Sequence, residues 1–193
     1  MEKLIYKVHG DFIEFINYPF KCSSVYKTKT LKSIDIVDVS DKSYGPAPIR
    51  TTNSELIFAP FQEDGEHKKL SSFYASNNIP LRKITDVWEI INDPFLDTVH
   101  SDDFIERGYT QLENCGISRM ECNAIRLEVA GRMLAYNSIL WDWCHLGLYD
   151  VLYASLGFLS GEKHRLSDVD FERFYWRAMS IALKGFGHSN PAV

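Results

Sequence analysis

The chain has 193 residues, 45% of them hydrophobic and 24% charged. A chain of this length buries roughly two-thirds of its unfolded surface without a disulfide or metal staple, and it is too aromatic and too lightly charged for disorder. The formal net charge of −5 supplies no bulk basic field for a phosphate backbone or an anionic membrane, so neither nucleic acid nor membrane is an expected partner.

The first residues, Met1 to His9, alternate in polarity instead of forming the continuous apolar core of a signal peptide. No later segment reaches the roughly 18 uncharged apolar residues of a membrane helix. A cytoplasmic location is therefore expected. Alternation in Leu4, Tyr6 and Val8, then Gly10-Asp11, then a second alternating run from Phe12 to Tyr18 predicts a β-hairpin with a two-residue turn. Residues 33–39 and 55–61 read as further strands, and 24–30 and 49–52 as weaker ones. Lys21, Lys27, Lys29 and Lys32 fit a lysine-protected sheet edge.

Residues 67–76 predict a short helix with Leu70, Phe73 and Tyr74 on one face, and 79–84 predict a returning strand. At Asp86 to Thr98 the hydrophobic period changes from strand-like to helical. Thr85 is the expected N-cap, Asp86 favours the positive helix end, Val87, Trp88, Ile90 and Ile91 are too apolar to stay wet, and Pro94 disfavours continuation. Ser101 with Asp102 and Asp103 opens the next helix. Ser118 and Glu121 form a capping-box pattern for a long one running to about Trp143. That helix carries two apolar stripes, Met120, Ala124, Leu127, Gly131 and Leu134, and Ile125, Val129, Met133, Tyr136 and Leu140. So wide an apolar arc predicts a helix central in a bundle. A further helix follows Gly147, and Ser167 caps a last one that ends at Lys184 and Gly185.

The expected architecture is α+β, a mainly antiparallel N-terminal sheet followed by a C-terminal helical bundle. Its divisions are a β-rich lobe over 1–84 with one short helix, a connecting seam over 85–98, a helical lobe over 99–185 and a flexible tail over 186–193. The segment Asp86-Val87-Trp88 with Pro94-Phe95-Leu96-Asp97-Thr98, preceded by Asn78-Ile79-Pro80, resembles a recurrent pattern in uncharacterised bacterial proteins. That resemblance covers roughly residues 70–100 and implies no activity, cofactor or catalytic residue. The sheet-then-helix order of residues 1–93 also resembles pleckstrin-homology-like bacterial modules, a likeness of order alone.

Cys22, Cys115, Cys122 and Cys144 are scattered without a C-x-x-C pair, as expected of reduced core thiols. Neighbouring helical positions point about 100° apart, so Cys144 and His145 make no nucleophile–base dyad. Asp142 and His145, three apart in Trp141-Asp142-Trp143-Cys144-His145, would share one face of a helix and are the candidate divalent-metal ligands. Glu128, Asp102 or His164 would have to complete such a site. Asp93 and Asp97 are candidate paired carboxylates, though Asp97 also suits an Asx turn. Asp86, Trp88, Phe95 and Asp97 are candidates for a structural seam or an interface. No phosphate loop, nucleophile elbow or H-E-x-x-H occurs.

The expected function is that of a non-catalytic, cytosolic protein-binding or regulatory module with no cofactor and an unidentified protein partner. The alternatives are a small metal-dependent hydrolase using Asp142 and His145, and a carrier of an apolar ligand held by Trp88, Phe95, Trp141 and Trp143 between sheet and bundle.

Overall fold

The hairpin forms as its pattern predicts, β1 (Tyr6–Val8) pairing antiparallel with β2 (Phe12–Phe15) through Tyr6 opposite Phe15 and Val8 opposite Ile13. The structure is a computed structural model that describes residues 4–41, 45–60, 66–142 and 144–187. Trp143 and residues 188–193 lie outside the described residues. The protein is α+β, and its chain divides into two units, Met1–Lys83 and Ile84–Val193.

In the first unit, residues 24–30 are not the strand expected. They form helix α1 (Ser24–Thr28), left-handed Lys29 (φ 58°) and only then β3 (Thr30–Lys32), which adds to β2. A buried acid from further along the chain decides it. The Glu55 carboxylate accepts hydrogen bonds from Ser24 N (3.2 Å) and Ser24 Oγ (2.5 Å), holding donors that a helix start leaves unpaired. β-branched propensity in Val25 and Thr28 is too weak to resist that.

The second sheet is β4 (Ile36–Ser40), β5 (Pro48–Thr51) and β6 (Leu56–Phe58) in antiparallel sequence. Helix α2 (Glu66–Ser76) then carries the chain to β7 (Leu81–Arg82), which lies parallel to β4. The order is β6-β5-β4-β7, so the described strands make two sheets and not one. Asp38, fully buried on β4, accepts a bidentate pair from Arg50 on β5 and contacts Arg82 Nε on β7 at 2.9 Å. Tyr18 Oη accepts from Phe58 N (3.2 Å), tying the segment after β2 to β6.

The second unit comprises α3 (Val87–Asn92), a 3-10 turn (Asp93–Phe95), α4 (Asp102–Asn114), α5 (Arg119–Leu140), α6 (Leu148–Ser155) and α7 (Asp168–Lys184). Ser101, Ser118 and Ser167 cap α4, α5 and α7 by accepting backbone N–H bonds, as their positions predict. Helix α3 is capped one residue later than expected, by Asp86 and not by Thr85, because the Asp86 carboxylate is the group that reaches the free N–H groups of Trp88 and Glu89. Trp88 is fully buried and donates Nε1–H to the Ala178 carbonyl at 3.0 Å. The stretch 85–98 thus belongs to the helical unit and packs into it.

Three further expectations about this unit are corrected. The end of α7 is held: Gly185 O accepts from Thr85 N (3.2 Å) and Phe186 is buried, so the chain past 185 begins as core. Helix α5 stops at Leu140, with Trp141 left-handed (φ 57°), short of the predicted Trp143. Only one stripe of α5 is covered. Ile125, Val129, Met133 and Tyr136 are buried, Leu140 at the end of the same stripe is exposed, and Met120, Ala124, Leu127, Gly131 and Leu134 face out. Among the described residues no helix is long and apolar enough to cross a membrane.

Candidate functional site

Asp142 and His145 do not share a helix face. Both lie in the irregular stretch between α5 and α6, because the left-handed residue Trp141 has already ended the helix. Asp142 turns its carboxylate onto the chain: Oδ1 accepts from Cys144 N (2.9 Å) and His145 N (3.0 Å). Asn137, at the end of α5, secures the same stretch. Its Nδ2 donates to Phe95 O (2.9 Å) and Asp142 O (3.1 Å), and its Oδ1 accepts from Asp142 N (2.9 Å).

The loop so fixed aims His145, which is buried, at the start of α3. His145 Nε2 lies 3.9 Å from Asp86 Oδ2. The other Asp86 oxygen caps α3, accepting from Trp88 N and Glu89 N, both at 3.1 Å. Glu89, three residues on, joins them: donor atoms of Asp86, Glu89 and His145 all lie within 4.8 Å of one another. A Cβ on Gly147 would stand 2.9 Å from His145 Cε1, so only glycine lets the imidazole lie there. Gly147 N in turn donates to Asp150 Oδ2 (2.9 Å), and Tyr136 Oη donates to Asp150 Oδ1 (3.1 Å). Burial raises the Asp150 carboxyl, while the Gly147 N–H, His145 and the Tyr136 hydroxyl pull it back.

Two carboxylates and one imidazole suit a divalent first-row ion with open positions for water. Ligand bonds of about 2.0–2.2 Å would need these donors to close up by several tenths of an ångström. The candidate centre therefore exchanges Asp142 for Asp86 and Glu89. Glu89 is the residue that sequence reasoning missed; its signal was the D-x-x-E spacing across one helical turn. The Cys144 thiol is raised by desolvation and by Asp142 and Glu89, the opposite of an activated nucleophile.

The remaining candidates take structural places. Trp88 and Phe95 are buried, and Asp97 is exposed with its backbone N–H 3.4 Å from Asp142 O. Asp93 is raised to about 6, by burial first and Glu89 second, against the pull of Arg126. Asp97 is not among those causes, so the proposed carboxylate pair is not what perturbs it. As for an apolar ligand, Trp141 is exposed. A cavity of about 290 Å³ lies instead within the first unit, lined by Val39, Ala59, Leu70, Tyr74, Ile79 and Leu81 among others.

A second feature is the outer face of α5. Met120, Leu127 and Leu134 recur at every seventh residue of α5 and keep 82%, 81% and 55% of their surface in solvent, and Trp141, the left-handed residue just past the helix, keeps 66%. Small residues, Ala124, Gly131 and Ser138, alternate with them. An open groove of about 370 Å³ adjoins the C-terminal end of this ridge, lined by Phe95, Leu96, Asp97, Leu134, Asn137, Ser138 and Trp141. Compared with known proteins, the chain matches no family model, no curated protein and no solved structure.

Proposed function

We propose that this protein is a non-catalytic protein-interaction module whose working surface is the outer face of α5. The observation that carries this reading is the exposed ridge Met120, Leu127 and Leu134 on α5, with exposed Trp141 just past its end. Apolar residues seven apart on a wet helix face are the pattern by which one helix seats another. Large contiguous apolar surface on a folded protein marks an interaction site. The polar groups of the loop supply further support, since Asp86, Asp142 and Asp150 each satisfy backbone N–H groups and so have structural work. A photo-crosslinking side chain at Leu127 tests the reading. It should form a discrete protein adduct, and no adduct under any condition would refute it.

The grouping of a buried imidazole with two carboxylates favours a second reading, a metal-dependent hydrolase centre. Asp86, Glu89 and His145 would hold a divalent ion, which would supply a water of lowered pKa as the nucleophile. Elemental analysis of the purified protein separates the two: a stoichiometric metal lost in His145→Ala supports the centre, and metal-free protein opposes it.

A further inference from the structure

We infer that the cavity of the first unit binds a small uncharged molecule with an apolar ring body and one oxygen acceptor, such as a ketone or ester, to which Tyr74 donates a hydrogen bond. The cavity lies within Met1–Lys83 and does not depend on the α5 reading.

Two elements supply most of its walls. On α2, His67, Leu70, Ser71 and Tyr74 recur at three-and-four spacing, so one face of that helix lines the space. On the sheet, Val39 of β4 sits opposite Leu81 of β7, and the ladder continues where Asp41 N donates to Arg82 O (2.8 Å). Alternation then sets Val39 and Asp41 on the cavity side and Asp38 on the other. Val39, Ala59, Leu70 and Ile79 are buried, whereas Asp41, His67 and Ser71 are exposed. The cavity has an apolar floor and a polar mouth.

Size sets the first limit on the ligand. An apolar cavity of about 150 Å³ takes benzene, so one of about 290 Å³ has room for a ring with a short substituent. Hydrogen bonding sets the second. The hydroxyl of half-buried Tyr74 makes no hydrogen bond among the described residues, and burial alone pushes its phenol far above the ordinary range. It is a protonated donor in a desolvated wall, and such a donor left without an acceptor destabilises the fold. A ligand oxygen supplies the acceptor.

Charge sets the third limit. No lysine or arginine is among the described lining residues, and Asp41 brings a carboxylate to the mouth. Asp38, on the opposite side of the sheet, already holds the guanidinium groups of Arg50 and Arg82. An anion would pass a carboxylate and find no cation inside, so carboxylic acids are excluded. A cation would pair with exposed Asp41 and leave Tyr74 unsatisfied. The neutral acceptor fits both groups.

Three probes of nearly equal size test this on the full chain: acetophenone, its apolar counterpart isopropylbenzene and its anionic counterpart benzoate, each titrated into isotope-labelled protein and followed by NMR. Acetophenone should bind saturably and shift the amides of Leu70, Tyr74 and Leu81, and benzoate should not. Tyr74→Phe removes only the hydroxyl. It should weaken acetophenone about tenfold and leave isopropylbenzene unchanged, because one hydrogen bond separates the two ligands. Ala59→Leu, which fills the space, should abolish both; if that variant fails to fold, Tyr74→Phe still decides. Benzoate binding as tightly as acetophenone overturns the inference, as does an equal loss of both neutral probes in Tyr74→Phe or the lack of any saturable shift with acetophenone. None of these results bears on the Leu127 photo-adduct, so the α5 reading stands or falls by itself.

Discussion

The Asp86 carboxylate faces the His145 imidazole at 3.9 Å with one oxygen while its other oxygen caps α3. One side chain thus starts a helix and meets a loop that follows it by more than fifty residues in the sequence. Asp86→Ala loses both roles, and chemical denaturation should show a loss of about 1–2 kcal/mol. Asp86→Asn keeps an oxygen for the cap and should recover most of it. Equal losses in the two variants would mean that the charge facing His145, not the cap, carries the stability.

Zinc separates the loop's structural work from a metal function. If the second reading is right, calorimetric titration of chelator-treated protein with zinc returns one site. His145→Ala and Glu89→Gln should each weaken it at least tenfold. Asp142→Asn should leave it within a few-fold, because Asp142 holds the backbone of Cys144 and His145 and is not one of the three grouped donors. Absence of binding in the unaltered protein would remove the hydrolase alternative.

Asn137 should matter more to folding than Asp142. It makes three side-chain hydrogen bonds, to Phe95 O, Asp142 O and Asp142 N, from a buried position. Asn137→Ala strands buried backbone groups and should cost about 2–4 kcal/mol, against about 1 kcal/mol for Asp142→Ala. Urea unfolding of the two variants checks the order.

Gly185→Ala should be the most damaging small substitution in the helical unit. A Cβ there would stand 2.0 Å from the Thr85 carbonyl oxygen, which is backbone and cannot step aside. A loss of roughly 3 kcal/mol or more is expected, read as a large fall in thermal midpoint. An unchanged midpoint would mean that the end of α7 repositions freely.

The pH dependence centres on Asp93, raised from 3.8 to about 6. Folded protein binds this proton more tightly than unfolded chain, so the group's contribution to stability falls as pH rises through that window. Asp93→Asn should therefore flatten the fall in thermal midpoint between those values and raise stability at pH 7. A variant whose profile parallels the unaltered protein would refute the assignment.

Legibility of the sequence followed the range of the interactions. Caps at Ser101, Ser118 and Ser167 were readable because a cap is decided within four residues, and at α3 the reading fell one residue short, at Thr85 instead of Asp86. So was the hairpin of β1 and β2, set by Gly10-Asp11 between alternating runs. Residues 24–28 were misread because Glu55, distant in sequence, holds their first N–H. The same limit governs the polar centre. Trp141 takes a left-handed backbone that L residues rarely adopt, which breaks the helical spacing of Asp142 and His145, and no local pattern announces it. Periodicity found both apolar stripes of α5 but does not say which one solvent meets.

β7 contains only Leu81 and Arg82, yet it is the parallel edge of the second sheet and brings Asp38 its second guanidinium. During synthesis, β4, β5 and β6 leave the ribosome well before it. The nascent chain therefore carries an incomplete sheet edge until Arg82 has cleared the exit tunnel, and a truncation ending after Ile79 would make that unfinished state permanent.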